Sequence, residues 1–131
     1  MEELTNLWLS DMDFKNIIGM NPSIQEMDDK DVNNHILFLR DIGCEERHIR
    51  NIIITNPFYF NRDVDDLIHL VYFLTKIGIT SLNLLFDSNP FLLNKNDFEI
   101  EEFVNVQLNN GMNIEDIGDL IDSNPYIIDE I

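Results

Sequence analysis

Four Asn-Pro dipeptides constrain this chain more than any other feature. They fall at Asn21-Pro22, Asn56-Pro57, Asn89-Pro90 and Asn124-Pro125, so the prolines are 35, 33 and 35 residues apart. Proline has no amide hydrogen and pushes the residue before it out of the α region, so a helix arriving at each Asn must stop there. Asn is also a favoured N-cap and Pro a favoured first helical residue, which lets the same dipeptide open a short new turn. The apolar residues of that turn, Phe58 and Tyr59, Phe91 and Leu92, Tyr126 and Ile127, are expected to fold back on the core.

A period in the range of roughly 20–50 residues marks a repeat architecture. Aligning the chain on its prolines brings other residues into register. Gly43, Gly78 and Gly111 stand at equivalent places, and Trp8 takes that place before Pro22. Glycine there predicts a left-handed C-cap that closes a first helix. The stretch "WLSDMDFKNIIGMNP" lies over "GCEERHIRNIIITNP" without a gap.

Before each glycine the apolar residues recur at helical spacing: Leu67, Leu70, Val71, Leu74 and Ile77, or Val32, Ile36, Leu39 and Ile42. This is the stripe of an amphipathic helix. A polar turn follows, then a shorter helix with its own apolar face (Ile49, Ile52, Ile53; Leu85, Phe86; Ile117, Ile121). One unit cannot bury such faces alone, so the units must stack. The predicted fold is all-α: a curved helical-repeat solenoid of about four helix-turn-helix-short-turn units, the first incomplete. It forms one domain over residues 1–131, with units at about 1–27, 28–61, 62–95 and 96–131. In the last unit Gln107 and Asn110 replace the apolar Leu74 and Ile77, which suits a terminal unit.

The quoted segments "ILFLRDIGCEERHIRNIIITNPFYF" and "LVYFLTKIGITSLNLLFDSNPFLL" resemble the repeat of the mitochondrial transcription termination factor family. Its unit has a Leu-rich helix, a Leu-Gly turn, a second helix and a proline before an apolar turn. The resemblance implies a curved α-helical solenoid whose basic concave groove holds nucleic acid, in proteins that act in organellar transcription, translation or ribosome assembly. Two departures stand out. The start "MEELTNLWLS" is acidic, unlike the Arg-rich, acid-poor transit peptides of organelles. The basic track is reduced to Lys15, its counterpart Arg50 and the nearby Arg47, because Asn83 and Gly118 take the same position in later units.

Charge bears on function directly. There are 25 acidic and 8 basic side chains, a formal net charge of -17, and such a field repels phosphate backbones and anionic lipid. The single cysteine excludes an internal disulfide and fits a reducing compartment. A cytoplasmic protein that neither enters a membrane nor binds nucleic acid directly is expected. Acidic residues gather at the start of successive first helices: Asp28, Asp29 and Asp31; Asp63, Asp65 and Asp66; Asp97, Glu99, Glu101 and Glu102. Helix capping and dipole complementarity explain acids at such positions. Stacking would also align them as an anionic ridge able to dock a basic protein.

The remaining chemistry is sparse. "NRDVDDLIH" lacks the Gly and closing Glu of a calcium loop, and His35, His48 and His69 have no zinc-ligand spacing. Cys44 aligns with Leu9, Ile79 and Met112 and reads as a small core hydrophobe. No nucleophile elbow or phosphate-cradling loop occurs, so no catalytic residue, metal or cofactor is assigned. The expected function is a non-enzymatic intracellular protein-interaction module, in its sharpest form an acidic nucleic-acid mimic. The alternative is a nucleic-acid-binding regulator of transcription or translation using Lys15, Arg47 and Arg50.

Overall fold

The computed structural model of the protein describes Leu4 and residues 7–130. Among these residues the chain is helical and contains no strand. Seven α-helices follow in order: α1 (Asp11–Met20), α2 (Asp29–Asp41), α3 (Glu46–Thr55), α4 (Val64–Lys76), α5 (Leu82–Ser88), α6 (Asp97–Asn109) and α7 (Ile114–Ser123). A 3-10 turn follows each second helix: Pro22–Glu26, Pro57–Asn61, Pro90–Asn94 and Ile127–Glu130. First helices pack on one another (α2 on α4, α4 on α6), and second helices do likewise (α1 on α3, α3 on α5). The result is a two-layered stack of repeats, as the spacing of the prolines predicts.

The buried set follows the two apolar stripes. Val32, Ile36 and Leu39 of α2, and Leu67, Leu70 and Leu74 of α4, are fully buried, as are Ile49, Ile52 and Ile53 of α3. Each such side chain contributes about 1.5–3 kcal/mol relative to an exposed one. Each first helix ends as the glycines predict: Gly43, Gly78 and Gly111 have φ of 103°, 103° and 98°. In this cap the amide of the residue after the glycine reaches back, Cys44 N to Leu39 O and Ile79 N to Leu74 O, at 3.0 and 3.1 Å. That geometry places an apolar side chain directly after the glycine, and Cys44 and Ile79 are buried there. Trp8 adopts φ 60°, the left-handed conformation that glycine takes in the other units, although 83% of its surface is exposed.

The Asn-Pro joints depart from expectation in an instructive way. Each Asn ends its helix in a non-helical conformation, φ -132° to -139° and ψ 75° to 84°. Among the described residues, only Asn89 also caps the following turn, its Oδ1 accepting from Phe91 N at 3.2 Å. The shared task of these side chains lies between units. Asn21 Nδ2 donates to Pro57 O at 2.9 Å, Asn56 Nδ2 to Pro90 O at 3.1 Å and Asn89 Nδ2 to Pro125 O at 2.9 Å. All three Asn are at most 2% exposed. Asn56 also exchanges two bonds with Asn94, at 3.0 and 3.2 Å.

The turn residues need one correction as well. Phe58, Phe91 and Tyr126, expected on the core, are 44–46% exposed, whereas Tyr59, Phe60, Leu92 and Leu93 are buried. With three residues per turn, successive side chains of a 3-10 segment point in three directions, so the residue after Pro faces outward.

Close approach between units explains Gly118. A Cβ there would meet the carbonyl oxygen of Ile77, at the end of α4, at 2.5 Å. Two predictions follow from these joints. Asn56→Ala should cost about 1–3 kcal/mol by leaving a buried proline carbonyl without its donor. Asn124→Ala, at a half-buried side chain with no hydrogen bond among the described residues, should stay within about 0.5 kcal/mol. Equal denaturation midpoints for the two variants would refute the inter-unit role. Gly19→Ala in α1, where nothing lies within 4 Å, should stabilise by up to about 1 kcal/mol through helix propensity. Gly118→Ala should do the opposite by about 1–3 kcal/mol, since overpacking outweighs propensity; a stabilised Gly118→Ala would contradict the close approach.

Candidate functional site

The ten acidic residues singled out from the sequence lie at the starts of α2, α4 and α6. Those starts are neighbours: Arg62, just before α4, donates from Nη1 to Asn96 Oδ1, just before α6, at 3.1 Å. His35, in the second turn of α2, has its Nε2 2.7 Å from Arg62 O. The structure thus brings the acids to one edge of the stack. Asp28, Asp29, Asp31, Asp63, Asp65, Asp66, Glu101 and Glu102 are exposed, and Asp97 and Glu99 half-buried.

Local physics accounts for the position of several of them. Asp28 and Asp63 are N-caps whose carboxylates accept from Lys30 N and Asp65 N, at 3.4 and 2.8 Å. Glu99 Oε2 accepts from Asn96 N at 3.0 Å, completing a capping box. Asp29, Asp31, Asp65, Asp66 and Asp97 occupy first turns, where the positive end of the helix dipole favours them. Glu101 and Glu102 lie one turn further on, and no cap involves them.

The basic set is placed differently. Lys15 is exposed on α1. Arg47 on α3 lies 3.4 Å from Glu45 in an exposed ion pair. Arg50, expected as a nucleic-acid contact in the alternative reading, instead donates from Nη1 to Leu7 O at 3.2 Å. Leu7 is equivalent in sequence to Ile42 and Ile77, which follow α2 and α4, so position 50 covers a carbonyl of the preceding unit, as Gly118 does at Ile77. Arg62 was not singled out from the sequence. Its guanidinium donates to Leu93 O, Lys95 O and Asn96 Oδ1 at 2.8–3.1 Å, bracing two units. Of the eight basic side chains, Arg40 and Lys95 are also paired, with Glu46 and Asp129.

Buried titratable groups are structural. His35 sits against Tyr59 and Phe60, with ring centroids 5.4 and 5.9 Å away, and its Nδ1 is 2.8 Å from Asp31 O. His48 is buried, its Nδ1 accepting from Glu45 N at 3.0 Å. Burial, with a smaller contribution from the Asp87 charge, pushes the Cys44 thiol up to about 12. Such a thiol lacks the electropositive setting of a nucleophile. Among the described residues there is no grouping of three or more His, Cys, Asp or Glu that could hold a metal ion. No helix among them is long and apolar enough to cross a membrane.

Tyr59 gives the site analysis its pH test. Its hydroxyl donates to His35 O at 2.6 Å, and burial pushes its ionisation well above the usual tyrosine range. The folded state therefore holds this proton more tightly than the unfolded state, so stability is intact below a pH of about 10 and falls as pH rises further. Tyrosinate absorbance followed upward in pH should show a late step that coincides with loss of helix by circular dichroism. The step should vanish in Tyr59→Phe. A Tyr59 that ionises without unfolding would remove the buried hydroxyl from the account.

Compared with known protein families, the chain matches the model described as mTERF over residues 1–130. No curated protein matches it.

Proposed function

From the premise that this chain belongs to the mTERF family, we propose that it is a non-enzymatic regulator of transcription or translation whose stacked units supply a binding surface. The observation that carries this reading is the unbroken family pattern over residues 1–130, on units joined alike through their Asn-Pro turns. The family's route is direct binding of nucleic acid along the repeats. Here that route would use Lys15, Arg47 and the remaining unengaged lysines.

A second reading is favoured by charge. Phosphate contacts supply most of non-specific nucleic-acid affinity, yet Arg50 and Arg62 are engaged on backbone carbonyls and Arg47 is paired with an acid. The acidic edge suits a basic protein, so the regulator would reach its machinery through that protein, as an acidic mimic of nucleic acid.

Fluorescence anisotropy with labelled duplex DNA, single-stranded RNA and polylysine, over a range of salt, separates the two routes. Direct binding would show a salt slope no steeper than about -4, since few cations release counterions, and would weaken on combining Lys15→Ala with Arg47→Ala. The charge balance makes the other outcome the expected one for the isolated chain. Nucleic acid stays unbound at physiological salt, polylysine binds, and the set Asp63→Asn, Asp65→Asn, Asp66→Asn slows that association more than three neutralisations elsewhere.

A further inference from the structure

The first-helix layer carries apolar side chains that the core does not use. Leu37 on α2 is 40% exposed, and Ile68 and Tyr72 on α4 are 50% and 70% exposed. Ile68 and Tyr72 are four residues apart and so lie one above the other on the same helix face. Leu37 and Tyr72 are equivalent positions one unit apart. Between α2 and α4 lies a groove of about 420 Å³, with Leu37, Phe38, Val64 and Ile68 in its walls and Asp41 at its edge. The α4–α6 pair repeats it at about 230 Å³, with Phe73 and Val104 in the walls and Glu101 and Lys76 at the rim.

A single exposed apolar residue needs no explanation. Aligned residues over a furrow between two adjacent, equivalently oriented helices are another matter, because such a furrow accepts the ridge of a third helix. The backbone around it is helical, so an extended segment finds no strand edge to pair with. Asp41 and Asp65 are exposed beside the groove, and the chain's charge of -17 disfavours a second copy of itself or a nucleic acid as occupant.

We propose that the groove between α2 and α4 docks an amphipathic, Lys- or Arg-rich helix of a partner protein, its apolar stripe on Leu37, Ile68 and Tyr72 and its cations toward Asp41 and Asp65. The proposal rests on the second reading above and names the form the basic partner takes.

The probe is a labelled synthetic peptide of about 18 residues, long enough to form a helix, with Leu at i, i+3, i+4 and i+7 and Lys elsewhere. A scrambled peptide of identical composition is the control. The ordered peptide should bind at least about tenfold more tightly than the scrambled one. The variant Leu37→Ser, Ile68→Ser, Tyr72→Ser should remove that preference while keeping the wild-type helix signal and denaturation midpoint, since all three side chains are exposed. Amide shifts on binding should map to α2 and α4. Equal affinity for both peptides, with loss in the Asp63, Asp65, Asp66 variant, would overturn the groove while leaving an acidic docking edge in place. Binding unaffected by the three serines, or shifts centred on Phe58 and Phe91, would overturn it too. Binding of neither peptide would overturn both the groove and the basic-protein reading.

Discussion

The stack depends on one recurring bond, a buried asparagine amide given to the proline carbonyl of the next unit. Proline makes this bond possible in two ways. It ends the second helix at the asparagine, turning that side chain out of the helix and toward the neighbouring unit, and it supplies a carbonyl whose own residue has no amide to donate. A buried carbonyl without a partner costs more than an ordinary hydrogen bond returns, so the joint selects against misaligned stacking as well as favouring the aligned one. No buried side-chain nitrogen or oxygen among the described residues lacks a partner. The apolar stripes provide most of the driving force, and the Asn-Pro joints fix the register in which those stripes meet.

Charge is distributed in a way consistent with that division of labour. The interior is apolar or hydrogen-bonded, and the acids sit at helix starts, where capping and the helix dipole make each locally favourable. Their sum still produces a strong field that opposes compaction. Two cations are fixed where they brace the stack: Arg62 across a unit boundary and Arg50 on the carbonyl of Leu7. The same commitments leave the surface poor in free positive charge, which separates this chain electrostatically from a basic nucleic-acid groove while keeping the architecture of its family.

Much of this was legible in the sequence because it depends on local rules. Gly43, Gly78 and Gly111 announce left-handed caps, the prolines announce helix ends, and the stripe of Leu67, Leu70 and Leu74 announces a buried face. Four features were not legible. The asparagine side chains reach a residue some 35 positions away, which a capping rule restricted to neighbours cannot foresee. Arg50 looks like half of a basic track until its partner, Leu7 O, is placed beside it in space. The outward turn of Phe58, Phe91 and Tyr126 follows from three-residue periodicity, which hydrophobicity alone does not reveal. The acidic edge was visible as a register of positions, whereas the groove beside Leu37 and Ile68 appears only once two helices from different units are laid together.

The asparagine-to-proline bond also has a direction. The amides of Asn21, Asn56 and Asn89 each donate forward, from one unit to the proline carbonyl of the next. Each boundary therefore presents the same donor on one side and the same acceptor on the other, whatever units flank it. A unit removed whole would leave Asn56 facing Pro125, a proline carbonyl like the one it meets at Pro90. Duplication or loss of one repeat then changes the length of the array without redesigning this joint, so proteins built on it can diversify in reach through gene-level copying of whole units.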